Sequence, residues 1–110
     1  MDLVSRFVLY RVWNKAKAIT GFDPDIWRKD FAGAWIRRDA FGKQGKYGWV
    51  IDHLKPKSIG GTDDLDNLNA LHWMNNEEKG ISYPEFCTSL SSDGNRNIES
   101  KKKWQIVSKK

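Results

Sequence analysis

Apolar positions recur at helical spacing near the start of the chain. Leu3, Phe7 and Tyr10 fall on one face, and Val4, Val8 and Val12 on another. The run Arg6–Trp13 is also rich in β-branched and aromatic residues, which suits a strand. We read residues 3–19 as a helix that ends near Thr20-Gly21, with Gly21 as its C-terminal stop and Asp23-Pro24 opening a turn. From 26 to 50 the pattern changes. Trp27, Phe31, Trp35, Ile36, Phe41, Tyr47 and Trp49 are separated by charges and interrupted by Gly33, Gly42, Gly45 and Gly48. This predicts short strands and turns, not one long helix, with Lys43-Gln44-Gly45-Lys46 as a basic turn.

The middle of the chain reads more sharply. Tyr47–Asp52 predicts a strand ending in Asp52-His53. A polar loop follows, bent at Pro56 and at Gly60-Gly61. Leu68–His72 predicts a second strand and Asn75–Lys79 a short helix stopped by Gly80, with Pro84 beyond. The tail, 87–110, is rich in Ser, Asn and Lys; Ser91–Asn95 reads as a turn, and Trp104, Ile106 and Val107 as a last strand packing back on the core. The expected fold is α+β, a single small domain over 1–110 with a motif core at about 47–80 and a basic tail at 100–110. Trp35, Trp49 and Trp73 are assigned to the core, and Cys87 is read as a buried small hydrophobe.

Composition narrows the class. Of 110 residues, 39% are hydrophobic and 13% aromatic, with six tryptophans, which excludes a disordered chain. Nineteen Lys and Arg against 14 acids give +5, a balance that favours polyanions such as nucleic acid. Cys87 is the one cysteine and His53 and His72 the two histidines, so neither a disulfide nor a structural zinc knuckle is expected. No leader pattern and no apolar run of roughly 18 residues is present, so a soluble, cytoplasmic protein is the expectation. Nothing points to a kinase, a redox enzyme or a membrane protein.

The chemistry gathers in Ile51-Asp52-His53, Asn67 and Asn76, with 14 residues from His53 to Asn67 and 9 from Asn67 to Asn76. Cleaving a phosphodiester with a metal needs a hard divalent cation to neutralise charge developing on the phosphate and leaving oxygens. Oxygen ligands suit such an ion, and Asp52 and Asn76 each supply one. A base must take a proton from the attacking water, and neutral imidazole is the side chain best matched near neutral pH. His53 fits that role beside Asp52. Successive strand residues face opposite sides, so the strand must end or twist there for both to serve one site.

These residues resemble the HNH, or ββα-metal, endonuclease family. Gly48–Pro56 resembles its first strand, Gly60–Leu68 its loop and Asn75–Gly80 its helix. More loosely, residues 27–107 resemble short stand-alone bacterial members with a Tyr-Pro-x-Phe segment and a tryptophan-containing tail. The resemblance implies His53 as general base, Asp52 and Asn76 as metal ligands, and Asn67 as a catalytic-loop brace bonding backbone of the His53 loop. It implies products with 5′-phosphate and 3′-hydroxyl ends and favours DNA over RNA. Two departures stand out. The family's frequent Cys-x-x-Cys pairs are missing, so aromatic packing must replace that zinc. Asn76 stands where many members have His, as it does in the HNH domains of RNA-guided DNA nucleases, which favours Mg²⁺ or Mn²⁺ over zinc.

Around the motif, Lys79, Lys55, Arg37 and Lys46 are the candidate nucleic-acid contacts. Lys79 stands one helical turn from Asn76, and one of Arg37 and Arg38 is expected to pair with an acid instead. For His72, a third metal ligand or a phosphate contact stays open beside the preferred reading, a strand histidine held by packing and one hydrogen bond; Asn76 is preferred to Asn75 as ligand. Two other functions stay open: a non-catalytic nucleic-acid-binding module with this fold, and a toxin-like nuclease held by an inhibitor protein. A homodimer is open too.

Overall fold

A computed structural model describes residues 5–107. Ser5 starts the first helix, α1 (Arg6–Lys15), by accepting from the Val8 N–H at 3.1 Å, an N-cap that satisfies one of the free N–H groups of the first turn. Of the two faces in the sequence, the valine face turns inward. Val12 and Trp13 are buried and Val8 packs beside them, while Phe7 and Tyr10 are exposed. Leu3 and Val4 lie outside the described residues. The helix ends at Lys15, earlier than the expected Thr20-Gly21. Ala16 turns extended, and Lys17 exchanges two backbone hydrogen bonds with Lys29, both 2.9 Å. Pairing with the next strand therefore overrides the helical periodicity. Gly21, at φ +90°, serves the turn beyond.

Among the described residues, the rest is α+β and built from three antiparallel strand pairs. β1 (Trp27–Lys29) pairs with β2 (Trp35–Arg37), β3 (Trp49–His53) with β4 (Leu68–His72), and β5 (Glu85–Asp93) with β6 (Arg96–Gln105). Helix α2 (Trp73–Lys79) follows β4 directly and packs on β5. The short strands of 26–50 and the strand–loop–strand–helix order are as the sequence predicts. The tail differs. Two long strands turning at Gly94-Asn95 replace the single last strand, and the second of them stops at Gln105, short of Ile106 and Val107. Lys109 and Lys110 lie outside the described residues.

The core lies between α1, β2, β3 and β4. It is formed by Val12, Trp13, Ile36, Trp49, Leu68 and Ala70. Trp13 and Trp49 meet at 5.4 Å between ring centroids, and Phe41 meets Trp49 at 5.0 Å. Trp35 and Trp49 are buried as expected. Trp73 is half-buried and donates its indole N–H to the Gly45 carbonyl at 2.8 Å, and Cys87 is half-buried on β5. Among the described residues, no helix is long and apolar enough to cross a membrane.

Candidate active site

The register of β3 and β4 sets the site. Asp52 pairs with Asn69 and His53 with Leu68, so the connection between the strands begins and ends beside His53. Gly60, at φ +101°, and Gly61 fold this loop back. The Gly61 N–H donates to the Pro56 carbonyl at 2.9 Å, and a Cβ on Gly61 would overlap the Lys55 carbonyl, so the chain approaches itself as only glycine permits. Asn67 clamps the loop. Its amide oxygen accepts from the Lys55 N–H at 2.9 Å, and its amide nitrogen donates to the carbonyls of Lys55 at 3.1 Å and Thr62 at 2.8 Å. Lys15, at the end of α1, donates to the Leu65 and Leu68 carbonyls at 2.6 Å each and anchors the loop's far side.

Asp52, His53 and Asn76 line one open depression of about 300 Å³, together with Lys57 and Ile81. The ends of β3 and α2 therefore meet there. Asp52 is buried, 5% exposed. Its Oδ1 lies 3.3 Å from Lys79 Nζ, while its Oδ2 is buried without a hydrogen-bond partner among the described residues. A buried carboxylate oxygen left unpaired is costly, and a cation is the partner that suits it. Burial pushes the Asp52 carboxyl above the usual range, and the Lys79 ammonium draws it back.

Lys79 is where expectation and structure part. It was a candidate for contacting nucleic acid, yet its side chain is fully buried. It donates to Asp52 and to the His53 carbonyl at 3.2 Å and sits 5.2 Å from the Phe86 ring centroid. Its position one turn beyond Asn76 turns it under β3 instead of toward solvent. An ammonium group buried here needs those partners.

His53 is partly exposed, and its Nε2 lies 2.8 Å from Asp63 Oδ1. Asp63 Oδ2 accepts from Lys57 Nζ at 2.9 Å. The bond from His53, then the one from Lys57, holds the Asp63 carboxyl below the usual range. Asp63 was not singled out in the sequence, where it reads as one more loop acid after Gly60-Gly61. Its role appears only when the loop folds back.

The two asparagines of α2 separate cleanly. Asn75 is fully buried and uses its whole amide. It donates to Asp30 Oδ2 and the Leu90 carbonyl, both at 3.0 Å, and accepts from the N–H groups of Ser89 at 2.9 Å and Leu90 at 2.8 Å. Asn76 lines the depression. Asp30, also missed in the sequence, is 2% exposed and accepts from Ala32, Ala34, His72 and Asn75. It ties β1 and β2 to the start of α2. His72 is buried; its Nε2 donates to the Lys46 carbonyl at 2.8 Å and its Nδ1 accepts from the Met74 N–H at 3.1 Å, capping α2. Burial pushes its imidazole below the usual value, toward the neutral form this arrangement needs. His72 is a structural cap and lies outside the depression.

The remaining candidate contacts lie apart. Lys55 is exposed on the His53 loop and Lys46 on the turn before β3. Arg37 lines a separate cleft against α1, 3.0 Å from Asp39 and over the Trp27 ring. Arg38 is 3.8 Å from Asp25, so both arginines, not one, have acid partners.

Among the described residues, no group of three or more His, Cys, Asp or Glu gathers to hold a metal ion. A metal in the depression would rest on one carboxylate, one amide, waters and substrate oxygens. That set suits an ion such as Mg²⁺, which takes few protein ligands. The unpaired Asp52 Oδ2 fits it.

Residues 39–80 match the family described as HNH endonuclease. No curated protein matches the chain. No solved structure matches it either.

Proposed function

With residues 39–80 matching the family described as HNH endonuclease, we propose that the protein is a metal-dependent endonuclease that hydrolyses phosphodiester bonds in DNA. The observation that carries this reading is that Asp52, whose buried Oδ2 has no hydrogen-bond partner among the described residues, lines one depression with His53 and Asn76. Asp52 and Asn76 hold one Mg²⁺ or Mn²⁺, which when bound neutralises charge on the phosphate and leaving oxygens. His53 takes the proton of the attacking water. The water oxygen bonds to phosphorus, the bond to the 3′-oxygen breaks with its electron pair going to that oxygen, which takes a proton from solvent water, and 5′-phosphate and 3′-hydroxyl ends result. Asn67 keeps the loop that carries His53 in place.

Outside the depression, Lys55 and Lys46 contribute positive charge along the path of a polyanion, and Lys57 lies at its edge. A plasmid assay tests the substrate class. The protein is incubated with supercoiled DNA, or with RNA of matched length, in Mg²⁺, Mn²⁺ or EDTA. Cutting of DNA that needs metal supports the reading. Salt-sensitive binding without cutting in any metal contradicts it.

A further inference from the structure

We propose that Asp63 is a positioning residue for the base: it fixes His53 with the proton on Nε2 and so presents Nδ1 to the attacking water. This rests on the reading of His53 as base. An ionised carboxylate can only accept, so the 2.8 Å contact requires His53 Nε2 to carry the hydrogen. The imidazole then has one free lone pair, on Nδ1. The hydrogen bond made by one ring nitrogen sets the role of the other. When Nδ1 takes the proton of water, the ring becomes cationic with N–H on both nitrogens, and Asp63 faces the Nε2 side of that charge.

Three features show that the contact is built into the loop. Gly61 lets the chain fold back across Lys55. Asn67 fixes Lys55 and Thr62 on either side of the fold, and Thr62 directly precedes Asp63. Lys57 takes the second Asp63 oxygen, so the acid does not face a phosphate uncompensated. Both Asp63 oxygens are already engaged.

The test combines a direct view of the ring with a rate. Long-range proton–nitrogen correlation spectra at about pH 8, above the usual imidazole pKa, report the tautomer of each of the two histidines, and His53→Ala assigns them. The wild type is expected to show His53 as Nε2–H, and Asp63→Ala to show an averaged pattern. An Nδ1–H or mixed His53 in the wild type overturns the proposal whatever the activity. In cleavage assays, Asp63→Ala should lower kcat about 10-fold or more with KM little changed, within the 10²–10⁴-fold that a general base contributes. Asp63→Asn, which keeps an acceptor, should restore most of the rate. In a His53→Ala background, Asp63→Ala should change nothing further. A wild-type kcat for Asp63→Ala, with His53→Ala inactive, overturns the proposal and leaves the base in place. A fully active His53→Ala overturns both.

Discussion

Lys79 Nζ lies 3.3 Å from Asp52 Oδ1, with both side chains closed off from solvent. The pair explains how a carboxylate can sit under the end of β3 with its other oxygen left without a hydrogen-bond partner among the described residues. The ammonium offsets its charge from behind, and Phe86 covers the ammonium. Removing one partner of a buried pair leaves an uncompensated charge. Lys79→Met should therefore cost about 3–5 kcal/mol in chemical denaturation. A loss under about 1 kcal/mol, the value of an exposed pair, would show that the pair is not buried in solution.

Asn75 and Asn76 are neighbours with opposite expected phenotypes. Asn75→Ala leaves Asp30 and the Leu90 backbone short of buried partners, at about 1–3 kcal/mol for each group stranded. It should lower the melting temperature. Asn76→Ala should leave the melting temperature nearly unchanged in EDTA and abolish both metal-dependent cleavage and the stabilisation by added Mn²⁺. Thermal melts with and without metal separate the two, and reversed phenotypes would refute the assignment.

His72 makes stability depend on pH. Its folded-state pKa lies below the ordinary 6.5 because burial disfavours the cation. Below 6.5 the unfolded chain takes up the proton first, so unfolding gains and stability falls as pH drops toward the folded-state pKa. Protonation would also remove the Nδ1 acceptor that caps α2, worth about 1 kcal/mol. The wild type should lose more melting temperature between about pH 7.5 and pH 5.5 than His72→Asn does. Equal losses would remove His72 from the account.

The sequence made some of this legible for reasons that can be named. The short apolar run before Asp52-His53, the Gly60-Gly61 bend and the Gly80 stop are local signals, and the strands and α2 follow from them. The β5–β6 hairpin was hidden because its outer strand, Arg96–Gln105, is mostly polar and lysine-rich, which reads as solvated tail. The end of α1 was misplaced because Lys17 finds a partner strand across a turn, which no helical periodicity shows. At the site, Asp52, His53, Asn67 and Asn76 stood out by type and spacing. Lys79 carried the right spacing with the wrong direction, since periodicity gives the angle around a helix but not which neighbour covers it. Asp30 and Asp63 were invisible because their partners are distant in sequence: His72 and Asn75 for the first, His53 for the second.

The most direct test of the central claim is the single-turnover cleavage rate of supercoiled plasmid by His53→Ala and wild type in Mn²⁺, with EDTA as control. Circular dichroism and Mn²⁺ binding should show both proteins folded and metal-loaded. The account predicts a loss of about 10²–10⁴-fold for His53→Ala and no cutting by either protein in EDTA. A folded, Mn²⁺-binding His53→Ala that cuts at the wild-type rate would contradict it.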